Sequence, residues 1–358
     1  MSDFFLWRDF PVERRGAISV DEWYNLQVMR FVAPARKQPR IFQAIKSGYE
    51  TMAGNAYLLL FPFLLDLYFL LGRRYLITNM IQDMIDSIIF PPSASTEILE
   101  TWQELSASLI DTLQHFSLSG FLRSFPIGIP SLLAYRPMEV NPLGAFSTVQ
   151  LESYGQFFLA IISFSAIGFL LGVLFLFAVS YAVRDTHTEP ITANLPQKFL
   201  SLLAIPLLVI LVAVFILTPA IFLISILNAL LPILGAVGYF FLTLTVISLS
   251  IPLIFTAHDI LLYGSNFREA VKQSIQIVRP TNGKTSIFLF VAIMATYVTN
   301  FLWQIPADGS YMLLISILGH SLVTTTFYVA SFYFYIDARK SVRESLLTET
   351  KNSEHMSV

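Results

Sequence analysis

Apolar positions run along this chain in long blocks rather than in the short alternations of a soluble fold. Blocks at 157–183, 199–227, 233–262, 287–303 and 312–336 are nearly free of charge, and a helix needs about 17–25 such residues to cross a bilayer. A sixth block, AYLLLFPFLLDLYFLLG at 56–72, is short for that purpose, so the preceding helix runs into it or the helix extends past Arg73. Pro206, Pro219 and Pro252 fall inside blocks, which spans tolerate because neighbouring groups satisfy the freed carbonyls. Asn228 and Pro232 predict a tight turn between two spans.

Between the first block and the rest, residues 73–153 hold no span. LITNMIQDMIDSIIF places apolar residues at 76, 77, 80, 81, 84, 85, 88 and 89, a helical stripe ended by Pro91 and Pro92. A second stripe follows at Ile98, Trp102, Leu105, Leu109, Leu113 and Phe116. Ser95 or Thr96 can cap its start, and Glu97 suits its first turn. FPIGIPSLLAYRPMEVNPLG is then broken by four prolines. The pattern predicts a helical cap with a Pro-rich loop lying on the membrane surface. Residues 1–40, with Pro11, Pro34 and Pro39, read as an irregular segment, and MSDFFLWRDFPVERR lacks the pattern of a cleavable signal peptide.

Two polar-flanked segments repeat at an offset of 226: IFQAIKSGYETM at 41–52 and FREAVKQSIQIV at 267–278. Their stripes are Ile41, Ala44, Ile45, Gly48, Tyr49, Met52 and Phe267, Ala270, Val271, Ser274, Ile275, Val278. Each stands before a span running the same way, so the repeat is parallel, not inverted. An apolar stripe flanked by basic residues predicts an interfacial helix at 41–52 and at 265–280.

Composition agrees: 55% hydrophobic, 13% charged and a mean hydropathy of +0.66, about half the charge of a soluble protein. Charge adds orientation. Of 22 Lys and Arg, Arg73, Arg74, Arg123 and Arg136 fall in the 73–153 stretch and the other eighteen on the opposite side, which places both termini in the cytoplasm. The expected fold class is all-α, an integral membrane bundle of about six transmembrane helices. The expected division is a cytoplasmic segment 1–40, interfacial helix and first span 41–72, extracytoplasmic region 73–153, five spans in 154–338 and a cytoplasmic tail 339–358.

FREAVKQS before a span, and a last span ending FYFYIDARKS, resemble a bacterial polytopic membrane-domain family. Its members occur fused to glycerophosphodiester phosphodiesterases or stand alone with unknown function. The likeness covers the last ~100 residues best and 41–72 moderately. It implies a membrane domain in the cell membrane, and it implies no activity, because no soluble α/β segment is present to house the phosphodiesterase.

Four polar residues inside or beside apolar blocks are candidates for function. Asp66 is a carboxylate within a span, which is a functional hypothesis by default; the structural alternative is a hydrated or paired group near the outer interface, with Arg73 snorkelling back to it. His258 and Asp259 are adjacent and point about 100° apart, so an interfacial pair is favoured over a metal or catalytic one. His320 lies inside the last span, where one hydrogen bond to a Ser or Thr satisfies it. Gly168 and Gly172, at GxxxG spacing, suit close helix packing, while Gly235 and Gly238 read as flexibility at a helix start.

With no cysteine, thiolate chemistry is excluded. No phosphate loop, nucleophile elbow or zinc-protease motif occurs, so neither enzyme activity nor a cofactor is expected. The expected partners are membrane lipids, with anionic headgroups at the cytoplasmic face, and no nucleic acid. The expected role is membrane organisation, lipid handling or support of another envelope protein. The alternatives are a transporter or channel using Asp66 and His320, and a lipid-modifying enzyme embedded in the membrane.

Overall fold

The computed structural model describes residues 39–91, 93, 95–184 and 194–356, with side chains up to Ser345 and at Leu347. Helix α1 (Ile41–Gly54) meets the next helical stretch at 94°. That stretch is a 3-10 turn, Ala56–Leu59, leading into α2 (Leu60–Leu71). The chain then forms β1 (Arg74–Leu76), α3 (Thr78–Asp86), α4 (Thr96–His115), a 3-10 turn at Leu118–Arg123, and the short strands β2 (Val140–Asn141), β3 (Gly144–Ala145) and β4 (Thr148–Gln150). Long helices follow: α5 (Tyr154–Ala182), α6 (Leu195–Val212), α7 (Thr218–Leu230), α8 (Pro232–Ser250), α9 (Thr256–Tyr263), α10 (Phe267–Trp303) and α11 (Met312–Met356). Pro39–Val342 makes one compact unit. Most of the predicted 1–40 segment lies outside the described residues.

The chain is an all-α bundle. Five helical stretches are long and apolar enough to cross a membrane, or six if the bent α1–α2 pair is one span. The short 56–72 block is resolved in neither expected way. Its helix neither continues from α1 nor passes Arg73, because Asn55 breaks the first and Gly72, extended at φ −77 and ψ 175, ends the second. The stretch 56–71 is thus only about 24 Å long at 1.5 Å per residue.

Proline shapes the other spans. Before Pro219 the helix widens into a π turn at Ala213–Leu217, and the Thr218 hydroxyl donates to the Ala213 carbonyl at 2.9 Å. Pro252 marks a 3-10 turn between α8 and α9, and Ser274 donates to its carbonyl at 2.6 Å. The turn at Asn228 and Pro232 forms as expected. Gly235 serves it by closeness rather than flexibility: a Cβ there would strike Asn228.

The repeat is real in burial but not in shape. Ala44, Gly48 and Met52 are buried on α1, and their counterparts Ala270, Ser274 and Val278 are buried on α10. Yet 265–280 is no separate interfacial helix. It continues without a break into Trp303, even at Pro280, where the Thr281 hydroxyl bonds the Ile277 carbonyl at 2.7 Å. Only the first copy turns sharply.

The 73–153 region is a cap, but part of its Pro-rich stretch is inserted into the protein core rather than lying on a surface. Leu122, Ile127, Ile129, Leu132, Leu133 and Met138 belong to the same core as Phe175, Leu313 and Ile317. Gly168 and Gly172 on α5 admit this segment rather than a second helix. A Cβ on Gly168 would meet the Leu122 backbone, and one on Gly172 would sit 2.6 Å from Gly128 Cα. The rest of the cap has a small core of its own at Ile77, Met80, Leu118 and Leu151, roofing the start of α5. Parallel pairing of β1 with β4 (Arg74 with Thr148) joins its ends, and β2 with β3 makes a local antiparallel hairpin. Ser95 caps α4 by accepting from Ile98 N–H.

Candidate functional site

The four candidate residues fall at two places along the bundle. The first surrounds Asp66, which is fully buried on α2. Irregular backbone inside an apolar bundle must find partners for its N–H groups. Pro126, Pro130 and Pro137 have none to satisfy, and Asp66 takes up those that follow Pro130. Leu132 N–H donates to Oδ2 at 2.9 Å, Leu133 N–H to Oδ1 at 3.0 Å, and the Ser131 hydroxyl to Oδ1 at 2.5 Å. The same Ser131 oxygen accepts from Ala134 N–H at 3.0 Å. The carboxyl group is therefore the clamp on the inserted segment.

Arg73 does not snorkel to it. The helix stops at Gly72, so the seven-residue spacing from Asp66 no longer places the two on one face. The cation in electrostatic range of Asp66 is Arg123, which is also in range of His320 and Tyr328. Arg123 is exposed on the inserted segment, with the Tyr135 ring 5.5 Å away. Its role is not legible in the sequence, where it is one of four arginines in a long loop. His320 is nearly buried, and its Nδ1 lies 2.8 Å from Asn300 Oδ1 on α10, not from a Ser or Thr. An amide oxygen only accepts, so Nδ1 carries the proton. Nε2 is left buried without a partner, as is Trp303 Nε1.

The second site lies toward the other end of α11. His320 and Ser331 stand about 16 Å apart along that helix. Here His258 Nε2 is 2.8 Å from Ser331 Oγ, whose own proton goes to the Tyr328 carbonyl, so the imidazole is the donor. Asp259 packs inside the protein. It is fully buried, and its Oδ1 accepts from the Tyr335 hydroxyl and from Arg339 Nη1, each at 2.5 Å. Arg339 stacks on Tyr263 at 3.5 Å. The two neighbours diverge on α9 as the 100° rule requires, yet both reach α11. Tyr335 and Arg339 come from the FYFYIDARKS segment, which also holds α1. Gly48 abuts Ala330, Thr51 bonds Tyr333 at 2.7 Å, and Arg40 N–H donates to Asp337 at 2.8 Å.

A basic pocket lies at the loop end of the bundle, beyond the last turn of α2. Arg73, Arg74, Arg136, His115, Ser117 and Ser119 line it. Arg136 bonds the Pro306 carbonyl at 2.8 Å and Asp308 at 3.0 Å. Burial lowers the pKa of Arg74 from its ordinary value and Asp308 opposes this; an arginine stays charged regardless. Among the described residues no group of three or more His, Asp or Glu is placed to hold a metal ion.

These features define a multi-helix protein with membrane-type spans. No family model, curated protein or solved structure matches the chain.

Proposed function

We propose that this chain is a bacterial multi-pass protein of the cell membrane, with both termini in the cytoplasm, that handles lipids without catalysing a reaction. Kinship with the membrane domains fused to glycerophosphodiester phosphodiesterases belongs to the same proposal. The observation that carries it is the gathering of Arg73, Arg74 and Arg136 around one pocket where the apolar α2 ends. The phosphate of a lipid headgroup is an oxyanion that guanidiniums bind through paired hydrogen bonds. The α6–α8 region supports it too, since only 11% of its span windows is buried. Lipid modification is less well supported, because Asp66 and the His258–Asp259 pair serve different sites and are bound into the packing.

The test is native mass spectrometry of the protein extracted with its surrounding lipid. Lipid handling requires one phosphate-bearing lipid class retained above its share of the membrane. A stoichiometric protein partner in its place would make the chain an accessory subunit. Retention of neither would end both readings.

Transport is the second reading, favoured by one observation. Arg123 is exposed on an inserted segment within electrostatic range of both Asp66 and His320, and ionisable residues within spans mark solute routes. Proton or ion flux into vesicles, abolished in a folded Asp66→Asn variant, would establish it. Flux no greater than in empty vesicles would remove it.

A further inference from the structure

The geometry points to a phosphate-binding site in the basic pocket at the loop end, one that takes a phosphate group on a lipid or free in solution. That the phosphate is lipid-borne rests on the lipid-handling reading; the anion site itself stands on what lines the pocket.

The donors are present and partly unspent. Arg136 places Nη2 on Asp308 and on the Pro306 carbonyl, but its Nη1 is buried with no hydrogen-bond partner. Arg74 holds its Cζ over the Phe146 ring, 3.6 Å from the centroid, a contact made by the guanidinium's carbon that does not use its N–H groups. Arg73 is exposed beside them. The Ser117 oxygen already accepts from Tyr75 N–H at 3.0 Å and from Ser119 N–H at 3.3 Å. Its own proton therefore serves the Ser117–Ser119 hydroxyl contact at 2.8 Å, which leaves the proton of the buried Ser119 for a ligand.

Charge favours the same ligand. Three guanidiniums line the pocket, and the acid paired there is Asp308. A tetrahedral oxyanion matches several arginine forks at once, whereas a neutral headgroup leaves them unpaired. Size separates the two sources. The enclosed space holds about one water-sized group, so an oxygen or two of a phosphate dips in while the rest stays outside. A lipid phosphate at the end of a span is delivered in that manner.

The experiment uses the full chain in detergent, followed by native mass spectrometry with phosphatidylglycerol, phosphatidylethanolamine, diacylglycerol and inorganic phosphate in turn. Both phosphate-bearing lipids are expected to bind and diacylglycerol, which lacks the phosphate, is not. R73Q, at an exposed position, and R136Q are each expected to weaken binding about tenfold, with S119A weakening it less. A melting measurement on each variant separates lost binding from lost fold.

Unchanged binding of the phosphate-bearing lipids in a folded R73Q and R136Q overturns the site while lipid handling stands, and equal retention of diacylglycerol overturns both. Binding of inorganic phosphate that depends on these arginines, with no lipid retained, keeps the site and overturns lipid handling. Binding of neither probe overturns both.

Discussion

Asp66 and Asp259 are both fully buried carboxyl groups in a bundle of apolar helices, yet they are held by opposite kinds of partner. Asp66 receives two backbone N–H groups and a hydroxyl from a segment with no helix of its own. Asp259 receives a tyrosine and an arginine from a regular helix. The first makes irregular backbone tolerable in an apolar interior, where no water is present to satisfy it. The second pins α9 to α11, two elements whose backbones are already satisfied. An ionisable residue inside a span can thus be structural for two distinct reasons, and the cost of losing it depends on what it leaves behind.

The comparison breaks most visibly at Asp66. Asp66→Ala strands two backbone donors, neither of which can rotate toward water, at about 1–3 kcal/mol each. A loss of about 3–5 kcal/mol is expected, read as a lower melting temperature in detergent and as new protease cleavage within 117–138. A melting point within a degree of the parent protein would mean that the loop is held by its apolar contacts alone. Asp259→Ala should cost less, about 2–3 kcal/mol. It strands the buried Tyr335 hydroxyl, but the Arg339 side chain is 30% exposed and stacked on Tyr263, so its charge has water within reach. A larger loss at Asp259 than at Asp66 would reverse the reading of the two sites.

Coupling sharpens it further. Gly172→Ala pushes a methyl group against Gly128, and overpacking of that kind costs about 1–3 kcal/mol. It displaces the segment that Asp66 holds, so the double variant with Asp66→Ala should lose less than the two single losses combined, by about 1 kcal/mol. The pair Gly172→Ala and Asp259→Ala shares no partner and should add. Equal behaviour of the two pairs would mean that the loop and the α9–α11 contact form one cooperative unit.

How far this was readable from sequence follows from the range of each interaction. The spans were legible because a bilayer-length apolar run needs no partner to declare itself, and the burial of Ala44, Gly48 and Met52 with their copies followed from a stripe within one helix. The segment at 117–138 was not legible. Its three prolines signal broken backbone but not whether it lies on a surface or inside. What decides is a shelf on α5 at Gly168 and Gly172, a carboxyl group on α2 and the loop itself, three segments distant in sequence. Asp66 was identified as a candidate, and its partners were missed for that reason. The place of Asp259 near the end of a span predicts an interfacial group but not its partners, which lie about 80 residues away on α11. Arg123 carried no local signal whatever.

The smallest effect belongs to the periphery. Phe222 on α7 is 64% exposed, as are Leu223 at 65% and Phe215 at 70% nearby, and the segment from Leu195 to Leu230 is among the least buried of the spans. Lipid accepts leucine and phenylalanine almost alike, and a substitution that leaves no cavity and strands no polar group stays within about 0.5 kcal/mol. Phe222→Leu should therefore leave the melting temperature in mixed lipid and detergent unchanged, in contrast to either aspartate. A loss of more than about 1 kcal/mol would be too large for a lipid-facing position. It would mean that a protein covers α7 and would move the accessory-subunit reading ahead of lipid handling, because the energy would then come from shape-matched packing that fluid lipid does not provide.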